Sequence, residues 1–344
     1  MKKLPFFLIT LLLLVSCTEE ETGTELASDT IVAVLEESGE AMVDDIIDII
    51  TSDGVESAFT FVEFMSESSE FGVGFRADTE KARILQIAQI FAQGPASRVS
   101  TEEPSNDFPT GVYDWNEQEG DFVFTEESNE LILKFPVGES DSNNGVFTLS
   151  KLEFVNDYLP SKIIMLLAVD GTPMVELDLL INWSANDYPE DGELYLFVNP
   201  FTLDVNYNLT DGLNTTASVT LSKGDELISA ISLSTPTISI FEDFPSEIEG
   251  SVQYRRIKIA GNVNLEGLEE AYDSDTDPNA HMDVSFYIDG DKVGEIVLVL
   301  EEIEERYYDY VPYILLNDGS KVALEEVLEP ILEEIEIELE EIFM

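Results

Sequence analysis

At 344 residues, with 44% hydrophobic and 26% charged side chains, the chain can bury a large core and belongs with globular rather than disordered sequences. Its 72 acidic residues against 16 basic ones give a formal charge of −56, which argues against nucleic acid as a partner, because binding a polyanion needs Lys and Arg to displace counterions. One cysteine and one histidine leave no intrachain disulfide and no zinc site of the usual His/Cys kind.

The first element is Met1 to Ser16. Lys2 and Lys3 form a short positive head, Leu4 to Val15 an apolar run, and Leu14-Val15-Ser16-Cys17 closes it. A membrane-spanning helix needs ~20 apolar residues; this run is shorter, is interrupted by Pro5 and Thr10, and meets Glu19-Glu20-Glu21, which reads as a secretory signal.

The quartet Leu14-Val15-Ser16-Cys17 resembles a bacterial lipobox, the motif at which lipoprotein signal peptidase cuts before a diacylated cysteine. The resemblance implies that Cys17 becomes the first mature residue, carries acyl chains on its sulfur and amine, and holds the protein on a membrane. Thr18-Glu19-Glu20-Glu21 is similar to the acidic tract that follows the cysteine in surface lipoproteins of Bacteroidota-type bacteria, which implies the outer membrane and display at the cell surface. Removing Lys2 and Lys3 with the signal leaves 14 basic against 72 acidic residues, a mature formal charge of −58.

A polar tether follows through Ala27. Ser28 or Asp29 caps a helix predicted to run to about Thr51, with Ile31, Leu35, Met42, Ile46 and Ile49 or Ile50 on one stripe. Asp53-Gly54 breaks it, and Val55, Ala58, Phe59, Val62 and Met65 repeat at helical spacing. A third helix is predicted after Asp78, with Ile84, Ile87, Ala88 and Phe91 on one face, ending at Gly94-Pro95. The region 28–95 therefore reads as helical and 96–110 as a linker rich in Ser, Thr, Pro, Glu and Asn.

From Gly111 to Leu316 short β-branched and aromatic runs alternate with turn residues, the signature of an antiparallel meander, sandwich or half-barrel. Asp170-Gly171, Asp211-Gly212, Lys223-Gly224 and Asp289-Gly290 are hairpin turns that supply positive φ. Placing Gly171, Gly224 and Gly290 in register aligns three hairpins as copies of one unit; hairpin chemistry alone would give the same alignment. One long strand is predicted over Ser251 to Leu265. From Ser320 to Met344, Leu324, Val327, Leu328, Ile331, Ile335 and Ile342 share a helical face, although Ile335 to Leu339 also alternates as a strand would. The expected class is α+β: N-terminal helices, a long antiparallel β region and a C-terminal helix.

Little in the chain carries chemistry. His281 has no nucleophile elbow to serve. Asp273-Ser274-Asp275-Thr276-Asp277-Pro278-Asn279, with Asp283, places oxygens at alternate positions as calcium requires, and it resembles the start of Asp-x-Asp-x-Asp calcium loops. It departs from them at Pro278, where the loop glycine belongs, and at Val284, where glutamate does. Tyr307, Tyr308, Tyr310 and Tyr313 beside Arg306, with Trp115 and Trp183, form the second candidate surface; strand packing explains the same aromatics. The sequence thus points to a non-catalytic envelope lipoprotein that binds a ligand or partner. The alternatives are an extracellular carboxylate-dependent hydrolase and, by fold-level analogy, a lipid carrier of half-barrel type.

Overall fold

A computed structural model describes residues 28–67, 110–156, 159–209, 214–236, 246–274, 276–304 and 307–324. The signal, the tether, the predicted third helix, most of the linker, Asp211-Gly212 and everything beyond Leu324 lie outside the described residues. Sixteen strands, three α-helices and one short 3-10 turn make up these segments, so the class is mainly β rather than α+β. The predicted C-terminal helix is corrected at its start: Lys321–Ala323 is a strand, drawn into the sheet by pairing Ile314 with Val322 and Leu315 with Lys321. Cross-strand pairing overrides the helical spacing there.

The strands are β1 (Gly111–Asn116), β2 (Asp121–Glu126), β3 (Leu131–Phe135), β4 (Gly145–Val155), β5 (Leu159–Val169), β6 (Thr172–Trp183), β7 (Pro189–Val198) and β8 (Phe201–Asn208). They continue with β9 (Asn214–Lys223), β10 (Glu226–Pro236), β11 (Glu247–Tyr254), β12 (Ile257–Asn264), β13 (Met282–Ile288), β14 (Asp291–Glu304), β15 (Tyr307–Leu316) and β16 (Lys321–Ala323). Neighbours in the sheet are neighbours in the chain from β3 to β16. The exception is the start, where β1 lies parallel to β3 and β2 takes the outermost place.

Contacts divide the described residues into two compact units, 48–204 and 28–47 with 205–324. In the first, helix α2 (Asp53–Glu67) lays Ala58, Phe61 and Met65 on a sheet face built from alternate residues such as Leu131, Leu133 and Phe135. Phe61 stacks on Phe147 at 4.4 Å, and Phe64 meets Trp115 edge-on at 4.8 Å. Gly54, expected only as a helix breaker, is where α2 touches backbone: its N–H donates to Asn199 O at 3.2 Å. A Cβ there would lie 2.6 Å from Asn199 N and 2.8 Å from Met174 O.

In the second unit, helix α1 (Ser28–Ile50) buries Ile31, Val34 and Leu35. They meet Val284, Phe286 and Ile288 of β13, Ile296 and Leu298 of β14, and Ile314 and Leu316 of β15. Period-two alternation on these strands turns one face wholly apolar. Helix α3 (Leu265–Ser274) and the 3-10 turn Pro278–His281 connect β12 to β13.

The three aligned hairpins are β5–β6, β9–β10 and β13–β14, and each register slips beside its turn. The extra residue falls on the second strand each time: Met174, Ile228 and Val293. Asp170 and Asp289 have φ of 51° and 54° before their glycines, the two-residue turn that matches strand twist. The middle copy differs, with Gly224 opening the turn.

Candidate functional site

The densest set of interacting charges lies in the second unit, at the turn Tyr254-Arg255-Arg256-Ile257 between β11 and β12. The single long strand expected over Ser251 to Leu265 is broken here. Arginine is not a residue type that favours turns, and Arg255 takes φ of +45°. It is held there from outside the hairpin. Its backbone N–H donates to Ile228 O at 2.8 Å, and its guanidinium grips a carboxylate on α1.

That carboxylate is Asp45, whose side chain is only 6% exposed. Arg255 Nε donates to Oδ2 at 2.9 Å and Nη2 to Oδ1 at 2.7 Å, a fork matched to the planar carboxylate. Tyr254 Oη donates to Oδ2 at 2.6 Å. Arg255 Nη1 reaches outward to Glu226 Oε1 at 2.6 Å. Arg256 makes a second fork, to Asp289 at 2.9 and 2.7 Å, and touches Glu37 of α1 at 3.4 Å. Two adjacent cations thus tie helix α1 and the β13–β14 turn to one hairpin tip.

Burial alone would raise the Asp45 carboxyl; hydrogen bonds from Arg255 and Tyr254, with the charges of Arg255 and Lys223, outweigh it and hold the group below its ordinary range. Burial and the bond to Asp45 push the Tyr254 phenol up, so it remains a donor. The Arg255 guanidinium is held more firmly protonated by its bonds to Asp45. Around neutral pH the cluster contains an ionised, fully engaged carboxylate, a protonated phenol and two engaged guanidinium groups. Such a set orients and fastens; it offers neither a nucleophile nor a group poised to exchange protons.

The residues singled out in the sequence are not gathered there. Asp273 lies in the last turn of helix α3, Asp277 Oδ1 accepts from Asn279 N at 3.0 Å and caps the 3-10 turn, and Asp283 sits on β13 opposite Asn262. Asp275 and the Asp273 side chain lie outside the described residues, among which no group of three or more His, Cys, Asp or Glu is placed to hold a metal ion. His281 packs against Gly267 of α3, its Nδ1 only 2.1 Å from where a Cβ on that glycine would stand. Tyr310 packs edge-on to Tyr272 at 4.9 Å beside the apolar core, while Tyr313 donates to Glu301 at 2.7 Å. Trp115 joins the first unit's core, and Trp183 Nε1 donates to Pro160 O at 2.8 Å. Cys17, Arg306 and the side chains of Tyr307 and Tyr308 lie outside the described residues.

One polar residue of the candidate calcium loop does the work of a strand instead. Asn279 Nδ2 donates to Leu298 O at 2.9 Å, and Leu298 N donates to Asn279 Oδ1 at 2.7 Å. The side-chain amide occupies the ladder position that β13, which pairs only as far as Glu295, leaves on β14. No protein-family model, curated protein or solved structure matches the chain. Among the described residues, no helix is long and apolar enough to cross a membrane.

Proposed function

We propose that the chain is a lipid-anchored protein of the cell envelope that binds a ligand or partner and does not catalyse a reaction. The observation that supports this reading best is the fastening of α1. This helix begins directly after the tether that follows Cys17, and its Asp45 and Glu37 are joined to the hairpin tip at Arg255 and Arg256. A pull on the tether is taken up by the forked Arg255–Asp45 pair and the longer Arg256–Glu37 contact, and the sheet is left as the presented surface. Loops between its strands can vary to suit a partner. Calcium in the Asp273 to Asp283 segment belongs to the same proposal, as a brace for those loops.

Two measurements test it. Cys17→Ser should move the protein from the membrane fraction to the soluble fraction; unchanged membrane retention overturns the anchor. The soluble form from Thr18 onward should turn over no glycoside, ester or peptide substrate. Turnover abolished by changing one Asp or Glu would establish the hydrolase instead. A carrier reading draws on the amphipathic helices laid over apolar sheet faces in both units, and native mass spectrometry showing co-purified acyl lipid would favour it.

A further inference from the structure

Among the described residues, the hydroxyl of Tyr272 is the one buried side-chain polar atom without a hydrogen-bond partner. Tyr272 stands near the end of α3, a helix that buries Leu268 and Ala271, and its ring packs against the core of the second unit. Burial first, then the charge of Asp309 and the neighbouring Tyr310, push the phenol up to about 12, so it remains a donor at neutral pH. A buried donor left unused is a standing cost to the fold, and an arriving acceptor removes it. The surroundings lead outward along one strand. On β14, Ile296 and Leu298 are buried, whereas Leu300, next on the same face, is 55% exposed. Register sets Leu300 directly across from Tyr310, whose ring meets Tyr272 edge-on at 4.9 Å. An exposed leucine, two tyrosine rings and an unused donor thus follow one another at the rim of an apolar core.

Apolar lining with a single placed polar group is how sites for small apolar molecules are built. The polar group says what the molecule must offer, which is a hydrogen-bond acceptor. Charge narrows it further. Asp309 already bears on the phenol, and the chain as a whole carries −56, so a carboxylate or phosphate would arrive against repulsion. A protonated amine has no lone pair to give. Water would satisfy the phenol but has no use for Leu300. What fits all three residues is an uncharged carbonyl on an apolar chain. We propose that Tyr272, Tyr310 and Leu300 form a binding site for neutral acyl esters, with the acyl chain laid along Leu300 and Tyr310 and the ester carbonyl accepting from the Tyr272 hydroxyl. This rests on reading the chain as a binding protein and names the class of ligand it takes.

The probes are methyl octanoate, labelled with carbon-13 at its carbonyl, and the octanoate anion. Calorimetry on the full mature chain should give saturable binding of the ester, with octanoate at neutral pH about ten-fold weaker or worse. The carbonyl resonance of the bound ester should move downfield, as accepting a hydrogen bond requires. Tyr272→Phe separates a ligand-binding role from a structural one. In the free protein it deletes an unused donor, so the melting temperature should hold or rise, while ester affinity should fall about five-fold or more and the carbonyl shift should disappear. Leu300→Gln should weaken the ester and leave the melting temperature unchanged, since that side chain is already more than half in water. A lower melting temperature for free Tyr272→Phe would mean that the hydroxyl has a partner already, and would overturn the site. So would ester binding that Tyr272→Phe leaves intact, equal affinity for ester and anion, or no saturable binding up to the solubility limit of the ester. None of these outcomes bears on membrane retention or turnover, so the site can fail while the anchored binding protein stands.

Discussion

Asp45 is a carboxylate removed from water and kept ionised by its neighbours, which makes its partners more consequential than a surface ion pair would be. Arg255→Ala leaves that charge buried with one phenol for company. We expect a loss of about 2–3 kcal/mol by denaturant unfolding, below the ~3–5 kcal/mol of a fully buried pair because Arg255 is itself partly in water. Arg256→Ala, in an exposed fork, should cost less. The acid side has a sign that follows from linkage. An unfolded aspartate titrates near 3.9 and folded Asp45 lies lower, so its contribution is present above about pH 4 and is lost as pH falls through the folded value. Melting temperatures measured from pH 6 to pH 3 should therefore fall less steeply for Asp45→Asn than for the wild type; identical slopes would remove Asp45 from the account. The cluster was not legible in the sequence. Asp45 and Arg255 stand 210 residues apart, and an Arg-Arg pair carries no turn signal, since this turn is held by tertiary bonds and not by local chemistry.

Single elements were easier to read where their chemistry is local. The period of α1 predicted Ile31 and Leu35 on the buried stripe, and the second helix was placed within two residues of both ends of α2. The Asp170-Gly171 and Asp289-Gly290 turns were found from local sequence alone. What composition could not reveal was Gly54 as a point of contact, because the atoms it must clear belong to residues some 120 to 145 positions away. Gly54→Ala should cost about 1–3 kcal/mol through overpacking against backbone that has no room to yield, measurable as a lower unfolding midpoint. Asn279 stood out only as part of the oxygen-rich loop, and its role on β14 was hidden for a related reason: a side chain that replaces a strand leaves no strand pattern. Asn279→Asp turns a donor into a carboxylate facing Leu298 O and should cost about 1–3 kcal/mol, with faster hydrogen exchange at Leu298 as the specific sign. β16 displaced the expected C-terminal helix at its start because register with β15 decides its state.

Across the molecule, 72 carboxylates against 16 cations make self-repulsion a global term that no single contact offsets. The melting midpoint should rise through a sodium chloride series toward ~1 M, where the Debye length is ~3 Å. A flat response would discard the repulsion argument, and a further rise specific to calcium, lost in Asp275→Asn, would support cation binding in that segment. Strand order that follows chain order lets most of the sheet assemble as it is made, each strand meeting its neighbour soon after both exist. Helix α1 is the exception. It is made before every described strand, yet the guanidinium that receives Asp45 follows 210 residues later, on the order of 10–40 s at ordinary rates of synthesis. For that interval an amphipathic helix with an apolar stripe has no native surface to cover, which makes it the natural handle for a chaperone while the rest of the chain is being made.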